Sequence, residues 1–466
     1  MTSMESSESE AQVSAWRTFG WGPWGADETV PQEEPDEATR AALSLPATLR
    51  PVAGGDDDVV QRPVFDPSMT HYRKAMRLGE PEFADAETSG RWYAARRRAL
   101  DLVLAAVADS EWADHLVLRG SVLLRAWFGE AAREPGDLDF VVEPATWRLA
   151  DDRTDRMLAS IARGADLAAR RGGGPVRLDS RGAAGDEIWT YDRVPGRRLV
   201  LPWRAEGLPG GTVQLDFVFN EPLPAPTVHT AIPRSDGAGD PARLRAVTPE
   251  LSLAWKIMWL ATDIFPEGKD LYDAVLLAES GAAGLSFDLL RAVFRGVDDG
   301  FYDRNPVLPE DIVHSLSRTE WFEFAKEYPG LAGPARSTRD APPTALVDRL
   351  VTALAPVYAL DDGSGESARY QRYAAWLAPL TRECRGLPGG SGPDAVHEHL
   401  LEARVQAEPA LVVTRELLGR GACDLDRAAA LLAAYRSPTP TEYPWRRQWR
   451  EEDLVAAATR LADGTR

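Results

Sequence analysis

The pattern of apolar and polar positions divides the 466-residue chain into a strand-rich middle and a helical remainder. Trp92, Leu100, Val103, Leu104 and Val107 recur at helical spacing, so residues 88–109 read as an amphipathic helix with Arg96, Arg97 and Arg98 on its exposed side. A short strand follows over 115–118. The pair Gly120-Ser121 then opens an apolar helix over 121–128, and a strand runs over 137–142. Residues 150–171 form a second amphipathic helix, stopped by Gly172-Gly173-Gly174. Strand-like runs follow at 176–178, 187–191, 199–203 and 212–219, joined by turns that carry Gly and Pro. After Pro222 to Pro226 and the loop 236–240 the pattern turns helical. Thr248 is a natural N-cap, with Pro249 at the first helical position. That helix runs to about residue 262, and another begins near Gly268. From 281 onward the chain reads as all-α, with 386–394 as a linker.

Chemistry enters where this pattern is broken. In the strand 137–142, Asp137 and Asp139 alternate with apolar residues and so point the same way. Aspartate is depleted in strands. Two of them aimed at one spot repel each other unless a cation lies between, and hard oxygen ligands suit Mg²⁺ or Mn²⁺. Just upstream, the turn Gly120-Ser121 at a helix N-terminus offers backbone N–H groups to a phosphate. Together these are the parts of a metal-dependent site for nucleotide transfer. Asp216 supplies a third carboxylate. It sits in the otherwise apolar strand Thr212 to Phe219, sharing a face with Gln214 and Val218, where burial is costly without a cation or donor. Two-metal chemistry wants such a carboxylate on a neighbouring strand.

Lysine is scarce: Lys74, Lys256, Lys269 and Lys326 stand against 49 Arg. Lys256 lies in the nearly continuous apolar helix Leu251 to Leu260, and a buried ammonium requires an anion. Either an internal Asp or a nucleotide phosphate would serve. Lys269 and Asp273 are four apart on the next helix. They read as a surface ion pair or as a support for the Lys256 helix. His397-Glu398-His399 has strand spacing in helical surroundings and makes a poor metal pair.

Charge and composition narrow the setting. Net charge is −19, and residues 1–60 hold 12 Asp or Glu against 3 Arg. An acidic chain is not a nucleic-acid coat protein. Its basic patches (Arg96 to Arg98; Arg170-Arg171; Arg446-Arg447 beside Trp445 and Trp449) read first as solvated faces. With few apolar residues and many Ser, Pro and Gly, residues 1–62 are expected to be disordered or loosely docked. Trp16, Phe19, Trp21 and Trp24 form an aromatic island within them. Two cysteines, Cys384 and Cys423, argue for a reducing compartment. No signal peptide and no membrane span are visible, so a cytoplasmic location is expected.

In this order, Leu118-Arg119-Gly120-Ser121, Arg133 with Asp137-Leu138-Asp139-Phe140, Leu215-Asp216-Phe217, Lys256 and Lys269-Asp270-Leu271-Tyr272-Asp273 resemble the AbiEii/AbiGii-type nucleotidyltransferase toxins. The resemblance covers roughly residues 90–285. It implies an α+β chain: a minimal nucleotidyltransferase fold of the DNA polymerase β-like superfamily, a mixed sheet flanked by helices, followed by an α-helical C-terminal region. The expected domains are a nucleotidyltransferase core over 63–245, a helical domain over 246–385 completing the active site, and, beyond the reach of the resemblance, a helical region over 395–466 of unknown role. The resemblance further implies the toxin of an abortive-infection, phage-defence system with a cognate antitoxin, transferring NMP from NTP to an RNA acceptor such as a tRNA 3′ end. Asp137 and Asp139 would hold Mg²⁺ or Mn²⁺, and Asp216 would complete that carboxylate set or act as the base. Gly120, Ser121, Arg133, Lys256 and Lys269 would contact the nucleotide, with Asp273 in support. The alternatives are NMP transfer to a protein hydroxyl, or a non-catalytic nucleotide- or partner-binding module.

Overall fold

The computed structural model describes residues 14–52, 59–190, 194–281, 284–316, 318–334, 336–337, 341–387, 393–437 and 448–463. The chain divides into two compact units: Met1–Thr248 with Glu320–Asp340, and Pro249–Thr319 with Ala341–Arg466.

The first unit is built on an eight-stranded mixed sheet. Its strands are β1 (Leu116–Arg119), β2 (Asp137–Val142), β3 (Val176–Leu178), β4 (Ala184–Ile188), β5 (Gly196–Ala205), β6 (Gly211–Val218), β7 (Val228–Ile232) and β8 (Ala242–Ala246). The order is β7-β8-β1-β2-β6-β5-β3, with β4 also pairing β5. β6 runs parallel to β2 and antiparallel to β5, so β2 and β6 are central strands. Their apolar positions explain why. Leu138, Phe140, Leu215 and Phe217 are fully buried, and the rings of Phe140 and Phe217 stack at 5.5 Å. Each such side chain contributes about 2–3 kcal/mol of burial. Helices α1 (Ala86–Ala108) and α3 (Asp152–Arg171) pack on one another, and α1 also contacts β5, β6 and β8. The short α2 (Ser121–Phe128) links β1 to the loop before β2.

The α+β expectation holds: a mixed sheet is followed by a helical C-terminal region. Strand expectations were one to three residues off at most ends, and β7 and β8 were missed. β7, Val228-His229-Thr230-Ala231-Ile232, is largely exposed with Ile232 buried, and its apolar and polar residues do not alternate, so nothing marks it as a strand. Arg96, expected at the surface, is buried; its Nη1 donates to Glu80 Oε2 at 2.6 Å.

The larger correction concerns the acidic N-terminal segment, where composition pointed to disorder or loose docking. Residues 14–52 are packed. Trp16, Trp24, Val30, Leu45 and Leu49 form a cluster with Met76, and Phe19 packs against it. Lys74, 1% exposed, donates to the carbonyls of Phe19 and Gly20 at 2.5 and 2.6 Å and lies 4.2 Å from the centre of the Trp21 ring. The aromatic island thus covers a hairpin, Pro63–Phe65 paired with Met76–Leu78. Mean composition misses this because a few large side chains supply the burial. The run Gly54 to Asp58, the patch Trp445-Arg446-Arg447 and most of the 386–394 linker lie outside the described residues.

The second unit is helical. It opens with α4 (Pro249–Thr262), in which every residue from Leu251 to Met258 is buried, and α5 (Gly268–Glu279). Cys384 and Cys423 are buried free thiols, and burial pushes Cys384 up to about 11. His397 and His399 sit on the helix Pro393–Glu402, and no metal-ligand cluster among the described residues includes them. Among the described residues no helix is long and apolar enough to cross a membrane.

Candidate active site

At the end of β1 the chain turns sharply into α2. Gly120 makes the turn with φ +83°, and a β-carbon there would lie 2.1 Å from Asp139 Oδ2. Only glycine meets both demands, the left-handed φ and the close approach of a carboxylate. Ser121 starts α2 fully buried, and its hydroxyl donates to Asp137 Oδ1 at 3.4 Å. The turn and the two strand aspartates are therefore one structure.

β2 carries Asp137 and Asp139 half-buried on one face while Leu138 and Phe140 fill the other. Parallel pairing sets Asp216 of β6 directly beside Asp139, and Gln214 beside Asp137. Each of the three aspartates offers an oxygen, and these oxygens lie within 4.8 Å of one another. An all-carboxylate donor set fits a hard divalent cation. Burial pushes the Asp216 carboxyl up, Arg198 opposes that, and Asp137 adds to it.

The cation that compensates Asp216 is one that sequence reasoning missed. Arg198 stands opposite Asp216 in the β5–β6 ladder. Its Nε donates to Asp216 Oδ1 at 2.9 Å and its Nη2 to Oδ2 at 2.8 Å. Nη1 reaches the other way, to Asp66 Oδ2 at 2.8 Å. Gln214 Nε2 adds a bond to Asp216 Oδ2 at 3.1 Å. Burial alone would raise Asp66, but Arg198 and Arg77 hold its carboxyl well below the usual range. Nothing in the local sequence singles out Arg198 among 49 arginines; only its register opposite a strand aspartate does. A second missed pair is Arg119 with Glu221, 3.3 Å apart and largely buried.

The remaining expected residues are placed as follows. Arg133 is buried in the first unit, with Nη1 3.5 Å from the Tyr328 hydroxyl and its guanidinium 5.9 Å from that ring's centre. Lys256, in the second unit, is 6% exposed, with Nζ 2.6 Å from Asp270 Oδ1 and 3.0 Å from Asp273 Oδ2. Asp273 is fully buried, so it is no surface residue. Lys269 pairs with Glu267 at 3.1 Å.

A glycine-serine turn feeding a helix beside three strand-borne carboxylates on a mixed sheet defines the nucleotidyltransferase class. Residues 102–347, more than half of the chain, match the family model described as the nucleotidyl transferase AbiEii toxin of Type IV toxin–antitoxin systems, and the chain belongs to that family. No curated protein matches it.

Proposed function

We propose that this toxin transfers NMP from an NTP to an RNA acceptor, with a tRNA 3′ end as the leading candidate, and that transfer depends on Mg²⁺ or Mn²⁺ held by Asp137, Asp139 and Asp216. The observation that carries the reading is the convergence of these three carboxylates beside the Gly120-Ser121 turn. A divalent cation bound by them would neutralise developing charge on the leaving pyrophosphate and acidify the acceptor hydroxyl. The backbone N–H groups that open α2 orient the triphosphate. The phosphate role of Lys256, whose ammonium is held by Asp270 and Asp273, rests on family resemblance. Lys269 and Arg133 serve nucleotide binding by family resemblance. A cytoplasmic setting, where NTP and tRNA are abundant, is in keeping with two unbridged thiols.

The test incubates the purified chain with radiolabelled NTPs, total RNA and total protein. Label in RNA supports the reading, and sequencing tRNA 3′ ends after expression identifies the addition. Label in protein alone replaces the RNA acceptor by a protein hydroxyl. Absence of pyrophosphate release with every substrate points to a binding module. Asp139→Ala abolishes transfer and growth inhibition without changing the melting temperature; undiminished toxicity in that variant refutes the site.

A further inference from the structure

We infer that Arg198 is a positioning residue that pre-orients Asp216 for cation binding, and that Asp66 and Ser68 are the anchor from which it does so. The inference rests on the metal-site reading above and deepens it.

The geometry is that of a strut. Nε and Nη2 of Arg198 grip both oxygens of Asp216, at 2.9 and 2.8 Å. A planar fork of this kind fixes the carboxylate plane as well as neutralising charge. At its other end Nη1 bonds Asp66 at 2.8 Å, and Nη2 also lies 3.3 Å from Ser68 Oγ. Asp66 is itself held: the Ser68 hydroxyl and backbone N–H donate to its Oδ1 at 2.6 and 3.0 Å. Arg198, Asp66 and Asp216 are all nine-tenths buried or more. Asp216 still offers an oxygen within 4.8 Å of oxygens from Asp137 and Asp139. It is therefore clamped along one edge while sharing the acidic cluster.

Two roles for Arg198 give opposite signs for cation affinity. Were Arg198 only a positive charge near the cluster, removing it would strengthen cation binding, and lysine would substitute for it. As a strut, its loss leaves Asp216 free to rotate and weakens cation binding, and lysine, with no planar fork, fails to replace it. Residues that orient metal ligands through hydrogen bonds typically matter by roughly 10-fold or more in metal affinity.

The experiment measures Mn²⁺ binding to the full chain by electron paramagnetic resonance, with thermal melting as the check on folding. Arg198→Lys and Arg198→Met are expected to weaken Mn²⁺ binding by roughly 10-fold. Asp66→Ala, which removes the far anchor of Arg198 but leaves Arg198 and the three aspartates in the chain, weakens it by about 3-fold, less than loss of the strut itself, and stands in if the Arg198 variants do not fold. Folded Arg198 variants that bind Mn²⁺ as tightly as the parent, or more tightly, overturn the inference, and so does a folded Asp66→Ala of parental affinity when it alone is measurable. The underlying site is judged separately: if the parent binds no Mn²⁺, or if Asp139→Ala binds it equally well, the metal reading fails whatever Arg198 does.

Discussion

Each unit buries a cation between two carboxylates. In the first, Arg198 lies between Asp66 and Asp216; in the second, Lys256 lies between Asp270 and Asp273. The difference is in where the partners come from. Asp270 is 14 residues from Lys256, on the next helix, so the triad is assembled by one helical hairpin. Asp66 is 132 residues from Arg198 and Asp216 is 18 away across a ladder, so this triad joins an N-terminal loop to the middle of the sheet. The chemistry of the cation differs as well. A guanidinium fixes the plane of the carboxylate it grips, whereas an ammonium is a point charge that can keep its position while its partners change. The first arrangement suits holding a ligand group still, and the second suits a cation that exchanges one anion for another.

The strongest way to break this contrast is to remove the cation from the helical triad. Lys256→Met leaves Asp270 and Asp273 buried without their ammonium and is expected to cost about 3–5 kcal/mol. Chemical denaturation measures it; a loss below about 1 kcal/mol would mean the triad is not a buried charge cluster. Replacing Asp270 and Asp273 as well, by Asn, should recover part of the loss.

A second variant isolates geometry from charge in the sheet. Gly120→Ala changes no charge, yet its methyl group meets Asp139 Oδ2 and its backbone is strained at φ +83°. Transfer should fall by about 100-fold, as expected when a reacting group is displaced by an ångström, with a stability loss of about 1–2 kcal/mol. Parental rates in this variant would show that the close fit of turn and carboxylate is not needed.

The smallest effect comes from a buried base with no carboxylate bonded to it. His397 is 1% exposed, and among the described residues neither ring nitrogen has a hydrogen-bond partner. Burial pulls its pKa down to about 4, below the ordinary value of 6.5. The unfolded chain then binds the proton first, so His397 costs no stability above pH 6.5 and progressively more as pH falls toward 4. Melting at pH 7 and pH 5 should show the parent losing a few degrees more than His397→Leu, on the order of 1 kcal/mol for a chain of this size. An equal loss in both would mean that another group titrates.

What was legible in the chain was what is local. Asp137 and Asp139 stand at alternate strand positions, Gly120-Ser121 precedes an apolar helix, Asp216 interrupts an apolar run, and Lys256 interrupts an apolar helix in a chain with four lysines. Each is an anomaly against its own neighbours, and an anomaly of that kind needs no knowledge of the fold. Arg198 is not anomalous, since its neighbour Arg197 is also arginine and it lies in a strand of mixed polarity. Asp66 follows an acidic segment in which one more carboxylate carries no information. Trp16 and Trp24 were visible, but the hairpin they cover and the carbonyls that receive Lys74 were not.

The sequence by itself determined the periodicities, hence the central strands and the helices between residues 86 and 279, and it determined which residue types were too costly to bury without a purpose. Only the tertiary structure decided the partners: that β6 lies parallel to β2 in the register that sets Asp216 beside Asp139, and that Arg198 bridges Asp216 to Asp66. The physical reason is that burial and propensity act within a few residues along the chain, whereas strand order and ion pairing are settled by loop closure and packing between segments far apart in it.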